Sequence, residues 1–291
     1  MRDLRGRVVL VTGGASGIGQ GMAHAFSELG ARVAIADVDE VHGIEVAKAL
    51  SRQSFEATYV ALDVTDRTSW RAALDQVEAR WGPVDILCNN AGASALGMPI
   101  SSLSPGTWDR SVQLNLTSVY NGVAAVVEGM RSRGLGHIVN TASVAGLMAE
   151  IPNAAAYTAT KFGVVGLSET LAVELRPHGI GVTIVCPGAV RTSLWKSSRA
   201  ALGLPPNDPS EAAGAPSASP DAMDPLLLGR LIGRAVQESQ LYVITHAAYD
   251  ANIEARFQAI RRGSAWTQQA LEREASQVRR TNPVATAQVS R

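Results

Sequence analysis

Short apolar runs rich in Val, Ile and Leu alternate along the chain with longer segments whose apolar positions recur every three or four residues. Runs of the first kind predict buried strands, and the second spacing predicts helices with one apolar face. Strands are expected over 7–11, 32–36, 57–62, 84–88, 137–141, 181–185 and 241–245. Helices are expected over 17–29, 41–52, 69–80, 108–131, 154–175, 226–238 and 251–261. Gly82-Pro83 closes the third helix, and Pro177 with Gly179 closes the fifth, because neither residue type extends a helix. Such alternation, joined by right-handed crossovers, makes an α/β architecture: a doubly wound parallel sheet of about seven strands with helices on both faces.

The pattern changes after residue 190. Residues 205–220 are rich in Pro, Ala and Ser and show no period, which predicts a loop or a mobile flap. From Gln268 the chain is polar, with Arg273, Arg279, Arg280 and Arg291 against Glu272 and Glu274, so a solvated, partly frayed end is expected. The expected organisation is one domain over 1–265 carrying a substrate flap at 191–225, followed by a polar tail over 266–291.

Composition narrows the choice of function. Of 291 residues, 46% are hydrophobic and 18% charged, which excludes a disordered or fibrous chain. Basic and acidic residues balance at 26 each, and zero net charge removes the electrostatic case for nucleic acid or an anionic membrane surface. No apolar run approaches the roughly 18 residues of a bilayer span. The apolar stretch near Met1 is only a strand's length before it meets glycines, unlike a signal peptide. Cys88 and Cys186 stand far apart in apolar runs, so free thiols and a cytoplasmic location are expected. The five histidines have no ligand spacing, and no metal site is expected.

Chemistry enters at the first strand-to-helix turn, Thr12-Gly13-Gly14-Ala15-Ser16-Gly17-Ile18-Gly19. Glycines there permit a tight turn and close approach of backbone to a pyrophosphate, which the helix N-terminus favours electrostatically. Any strand-to-helix turn can use glycine, but this one opens a βαβ unit of the right length. Asp37 ends the second strand about 20 residues on, where a carboxylate accepts from ribose hydroxyls and repels a 2′-phosphate. The plainer alternative is a helix cap. With no Lys or Arg in the turn or just after Asp37, NAD is favoured over NADP.

In Tyr157-Thr-Ala-Thr-Lys161 the two end residues share one helix face. An ammonium beside a phenol stabilises the phenolate, making a candidate general acid/base. With five tyrosines and only three lysines, Lys48, Lys161 and Lys196, such a pair arises by chance about 0.05 times. A surface tyrosine packed by a lysine stem is the plainer alternative. Ser143 follows the fifth strand, where ligands of open α/β sheets bind, although serine there also serves as a turn or cap residue. Asn115 interrupts an apolar helix, and its amide, if buried, needs partners: it holds either a kink or a water chain.

Thr12-Gly13-x3-Gly17-x-Gly19, Asn89-Asn90-Ala91-Gly92, Asn115, Ser143, Tyr157-x3-Lys161 and Pro187-Gly188 together resemble the classical short-chain dehydrogenase/reductase family over roughly residues 5–245. The resemblance implies a single Rossmann-like domain that binds a nicotinamide cofactor and interconverts an alcohol and a ketone. It implies a catalytic tetrad of Asn115, Ser143, Tyr157 and Lys161, with Lys161 lowering the Tyr157 pKa and Asn115 positioning a water. It also places Gly13, Ser16, Ile18 and Gly19 at the pyrophosphate, Asp37 at the ribose and Asp63-Val64 at the adenine. Asn90 then lies along the cofactor, Tyr157 and Lys161 meet it too, and Pro187, Gly188, Val190 and Thr192 flank the nicotinamide. Ser143 and Tyr157 are 14 apart where many relatives have 13, and the extra residue is expected around Ile151-Pro152-Asn153.

The irregular segments 93–99, 144–153 and 193–225 contain Ala, Leu, Met, Ile and Trp195 with little charge, which points to a hydrophobic secondary alcohol or ketone. Arg191, Lys196 and Arg199 leave a phosphate-bearing substrate open. Residues 241–246 with 256–260 are similar to a subgroup that includes dehydrogenases of benzylic alcohols in lignin-derived aryl ethers. The family resemblance implies a homotetramer or homodimer joined through the helices at 108–131 and 154–175. The alternatives are an NADPH-dependent biosynthetic ketoreductase, a sugar epimerase or dehydratase, and a non-catalytic NAD-binding regulator.

Overall fold

The computed structural model describes residues 1–94, 96–204 and 219–281. Strands β1 (Val8–Thr12), β2 (Arg32–Asp37), β3 (Ala57–Ala61), β4 (Ile86–Asn89), β5 (Gly136–Thr141), β6 (Ile180–Cys186) and β7 (Tyr242–Ile244) form one sheet. Their order is β3-β2-β1-β4-β5-β6-β7 and every pairing is parallel. The order reverses at β1, where Val11 lies opposite Ile35 on one side and Cys88 on the other. In open α/β sheets the crevice for a ligand lies beyond the strand ends at such a reversal.

The helices are α1 (Gly17–Glu28), α2 (Glu40–Arg52), α3 (Arg67–Trp81), α4 (Pro105–Val112), α5 (Ser118–Arg133), α6 (Ala155–Leu175), α7 (Leu194–Ala201), α8 (Pro225–Glu238) and α9 (Asp250–Thr281). Val9 and Val11 of β1 pack with Met22 and Phe26 of α1, Leu50 of α2 and Ile232 of α8, while Val8 and Leu10 pack with Trp70 of α3, Met130 of α5 and Leu171 of α6. Alternate residues of one strand thus feed two cores, which is why the strands read as unbroken apolar runs. Helices α1 and α8 meet backbone to backbone: a Cβ at Gly229 would lie 2.3 Å from the Gly21 carbonyl oxygen, and one at Gly21 would lie 2.1 Å from that of Pro225. Arg230 closes this contact with two hydrogen bonds to Glu28, at 2.8 and 2.7 Å.

Three elements depart from expectation. The helix expected over 108–131 is two helices, α4 and α5, joined by a π turn at Gln113–Thr117. The apolar period is blind to one extra residue in a turn, and such π turns are frequent at functional sites. Helix α7 lies within the flap, in a stretch with no expected element; residues 205–218 of that flap lie outside the described ones. Helix α9 runs to Thr281, past Gln268, from which a solvated, partly frayed end was expected. Its polarity signals solvation, whereas its Ala, Gln, Glu, Arg and Leu residues are strong helix formers, and propensity prevails. The chain divides into two compact units, residues 1–246 and those from 247 onward. Among the described residues no helix is long and apolar enough to cross a membrane.

Candidate active site

Helix α1 begins as the glycine turn ends, with Gly13 and Gly17 at φ 62° and 52°, a region open to glycine but strained for other residues. Asp39, Asp66, Ser104 and Asp224 cap α2, α3, α4 and α8 with their side chains, but Ser16 makes no such bond to α1. Amides at an uncapped N-terminus suit an anion, and no acidic residue of the first turn competes for them. The turn is held from below by β4. Asn90 donates from its side chain to the Thr12 carbonyl at 3.0 Å, while the Thr12 hydroxyl accepts from the amides of Asn90 and Ala91 at 2.9 and 3.0 Å. A Cβ on Gly19 would lie 2.0 Å from the Gly13 oxygen, so Ser16, Ile18 and the rest of the first turn sit directly against the glycine loop.

Asp37 stands at the tip of β2 with its carboxylate accepting from the Ala15 amide at 3.0 Å and the Asp39 amide at 3.0 Å. Those bonds aim it across the glycine turn, and Val38 beside it is 72% exposed. Asp39 and Glu40 follow, an acidic setting hostile to a 2′-phosphate. The Asp63 carboxylate is taken up by Thr65, at 2.8 Å from its amide and 2.7 Å from its hydroxyl, and Val64 is buried.

Ser143, Tyr157 and Lys161 gather beyond the ends of β5 and β6. Ser143 follows β5 and is 7% exposed; its hydroxyl accepts from the Ala145 amide at 3.1 Å and faces the Pro187 carbonyl at 3.5 Å. Tyr157 and Lys161 rise from the first turns of α6, and the Lys161 nitrogen lies 5.6 Å from the centre of the Tyr157 ring. Lys161 donates to the Thr141 carbonyl at 2.9 Å, and burial pulls its pKa down from the usual lysine value to about 8. Burial also raises the Tyr157 pKa, against the opposing pull of a hydrogen bond with Ser143. Desolvation is the larger of these two influences on the phenol, and the Lys161 ammonium donates to Thr141. Cys186, beneath this cluster, is a fully buried thiol whose pKa burial pushes up to about 12, as suits a core residue.

Asn115 sits in the π turn with no exposed surface. Its carboxamide accepts from the Ala93 amide at 2.8 Å and donates to the Ala93 carbonyl at 2.9 Å. These bonds tie the helix irregularity to the segment after β4. A Cβ on Gly92 would lie 2.9 Å from the Asn115 oxygen and 3.8 Å from the Lys161 nitrogen, so both side chains crowd the open face of that residue. A buried ladder keeps α6 in place: Asn89 donates to Asn140, and Asn140 to Ser168 of α6, each at 2.9 Å.

The segment after β6 completes the site. The Gly188 amide donates to the Thr245 hydroxyl at 3.0 Å, and Val190 bridges to Met223. The Thr192 methyl packs against Gly17, where a Cβ would meet it at 3.0 Å. Pro187, Gly188, Val190 and Thr192 therefore link the cluster of Ser143, Tyr157 and Lys161 to the start of α1. Asn153 has φ 57° and its carbonyl accepts from the Met98 amide at 3.0 Å, joining two irregular segments as one wall. Thr141 and Ala93 escaped the sequence reading because they act through backbone groups, which no side-chain pattern reveals. Among the described residues no group of three His, Cys, Asp or Glu gathers to hold a metal.

A family model described as short chain dehydrogenase matches residues 7–203. The chain belongs to the short-chain dehydrogenase family. It is therefore an oxidoreductase of a family that binds nicotinamide cofactors, on the Rossmann-like fold just described. The chain is 40% identical over 191 residues to a 3-alpha-(or 20-beta)-hydroxysteroid dehydrogenase of Mycobacterium bovis, covering 66% of this chain and 72% of the relative. It is 38% identical over 210 residues to a cyclopentanol dehydrogenase of Comamonas, covering 70% and 83%. A short-chain dehydrogenase/reductase from Burkholderia phymatum, solved in complex with NAD, superposes with TM-score 0.82 at 30% identity over 90% of this chain and 96% of the other.

Proposed function

We propose that this chain is an NAD-dependent dehydrogenase that interconverts a hydrophobic secondary alcohol and its ketone. The observation that carries this reading is the convergence of Ser143, Tyr157 and Lys161 at the end of the crevice that also holds the uncapped α1 and Asp37. The residues present fit NAD: Gly13, Ser16, Ile18 and Gly19 suit the pyrophosphate and Asp37 the ribose hydroxyls. Val64 and Asp63 would lie by the adenine, Asn90 along the cofactor, and Pro187, Gly188, Val190 and Thr192 beside the nicotinamide. The bound cofactor supplies the hydride donor or acceptor.

Ser143 and Tyr157 hold the substrate oxygen. In the reductive direction Tyr157, whose phenol burial keeps protonated at neutral pH, gives its proton to the carbonyl oxygen; in the oxidative direction the phenol must first release its own proton to solvent, and the phenolate then takes the hydroxyl proton. Lys161 steadies the phenolate with its ammonium. Asn115 fixes the segment between the glycine turn and this cluster. Relatives named for steroid and cyclopentanol substrates support an apolar, cyclic alcohol.

The reading is tested by following reduction of NAD, and then of NADP, over aliphatic, alicyclic, steroidal and benzylic secondary alcohols. Turnover with NAD on one class is expected. Preference for NADP would favour the ketoreductase alternative, and NAD binding without turnover on any class would favour a regulator. Asp37→Asn keeps the shape of the side chain and removes its charge. It is expected to shift the NAD to NADP ratio of kcat/KM toward NADP by about tenfold, the scale of one lost charge contact. A ratio unmoved by that substitution would show that Asp37 does not read the ribose.

The Lys161 pKa makes a pH prediction. Below about 8 the ammonium is present and supports the phenolate that forms as Tyr157 gives up its proton; above that value it is lost. Initial-rate kcat/KM for ketone reduction should be flat from about pH 6 to 7 and fall above about pH 8. A profile that continues level through about pH 9 would remove Lys161 from that role.

A further inference from the structure

The peptide that joins Pro187 to Gly188 is held at both of its ends. Strands β6 and β7 run in parallel as far as Cys186 opposite Ile244, and Pro187 and Thr245 stand just beyond that pair. There the Gly188 amide donates to the side chain of Thr245, at 3.0 Å from its hydroxyl. On its other edge the same peptide presents the Pro187 carbonyl, which accepts from the Val144 amide at 3.1 Å and faces the Ser143 hydroxyl at 3.5 Å. The orientation of one peptide plane therefore bears on Ser143, the hydroxyl beside Tyr157.

His246 extends this arrangement away from the crevice. Its Nδ1 lies 2.6 Å from the Thr245 hydroxyl and its Nε2 lies 3.1 Å from the Asp221 carbonyl, just ahead of α8. A carbonyl only accepts, so Nε2 carries the proton; Nδ1 of the neutral ring is then an acceptor, and the Thr245 hydroxyl donates to it. The chain runs in one sense, from Gly188 N–H to Thr245, from Thr245 O–H to His246, and from His246 N–H to Asp221. Ser143 joins at its head through the Pro187 carbonyl of the same peptide. Hydrogen bonds aligned head to tail polarise and strengthen one another. With the other tautomer, Nδ1–H and the Gly188 N–H would both point at the Thr245 oxygen, and the Asp221 carbonyl would lose its donor.

We propose that His246 is a positioning residue that acts through Thr245 to fix the Pro187-Gly188 peptide and, through the Pro187 carbonyl, the Ser143 hydroxyl. This rests on the reading of the crevice as an NAD site with Ser143 at the substrate oxygen. The role needs no contact between His246 and cofactor or substrate, only a ring that accepts at Nδ1 while donating at Nε2.

The test begins with the full-length, cofactor-free protein. Nitrogen NMR of histidine-labelled protein at about pH 9, where imidazoles are neutral, should show His246 as the Nε2–H tautomer, its signal assigned by its loss in His246→Leu. A proton on Nδ1 would overturn the chain. Hydrogen exchange at the Gly188 amide should quicken by about tenfold in Thr245→Val, the scale of one lost hydrogen bond, and by about threefold in His246→Leu. Thr245→Ser keeps the hydroxyl and should keep the protection. With an alcohol that the wild type oxidises, Thr245→Val and His246→Leu should each lower kcat/KM by about tenfold, and Thr245→Ser should stay within about twofold of wild type. The double variant should be no worse than Thr245→Val alone, because His246 acts only through Thr245. Losses that multiply to about a hundredfold in the double variant would overturn the proposal, as would unaltered Gly188 exchange in both single variants. If the wild type oxidises no alcohol, the dehydrogenase reading fails on its own, and the tautomer and the Gly188 exchange still decide whether His246 holds that peptide.

Discussion

Tyr157→Phe lowers kcat by about a thousandfold or more, in the range that loss of a general acid/base produces, while NAD affinity stays within about twofold. The substitution removes one oxygen and keeps the ring. That ring packs beside Ala156, Leu202 and Leu204, so the apolar surroundings are retained. Lys161 does not depend on the phenol for its position, because it donates to the Thr141 carbonyl at 2.9 Å. Ser143 keeps its bond from the Ala145 amide. What is lost is the one group that lies beside Ser143 with a proton to give and an ammonium 5.6 Å from its ring. Steady-state rates with cofactor titration by fluorescence check this. A variant within about tenfold of wild type would remove Tyr157 from the chemistry.

Gly229→Ala destabilises the fold by about 3 kcal/mol, which for a domain of this size lowers Tm by roughly 6–12 °C. A methyl group in open space on a helix stabilises it slightly over glycine, so the sign of the effect depends on the neighbour. Here the neighbour is backbone: the new Cβ would lie 2.3 Å from the Gly21 oxygen and 2.6 Å from its carbonyl carbon. Side chains yield by changing rotamer, but a helix backbone yields only by moving the helix. Separating α1 from α8 strains the paired contact at Gly21 and Pro225, and the Arg230 bonds to Glu28. Gly263→Ala is the control, since a Cβ there meets nothing within 4 Å. Thermal unfolding of both variants measures the difference; equal Tm values would show that the two helices do not press together as described.

The same glycines show where sequence reading stops. The glycine turn was legible because Gly13, Gly17 and Gly19 stand between a strand and a helix that open a βαβ unit of the right length. Gly21 and Gly229 are 208 positions apart, and nothing in either local sequence announces that they face one another. Asn115 is intermediate. An amide in an apolar helix signalled a buried partner, but the partner is the main chain of Ala93, and the π turn that brings it there leaves no mark on the apolar period. In α9 polarity was read as fraying, although solvated residues with high propensity form a helix as readily as buried ones.

Strand and helix order, the parallel sheet, the glycine turn and the Tyr157–Lys161 pair were all written locally, in the periods and spacings that backbone geometry imposes on neighbours in the chain. The Asn115 tie to Ala93, the take-up of Lys161 by Thr141 and the raised pKa of Tyr157 were not. Each depends on desolvation or on a contact between residues far apart in sequence. Burial and long-range distance exist only once the chain has folded, so these features follow from the three-dimensional arrangement alone.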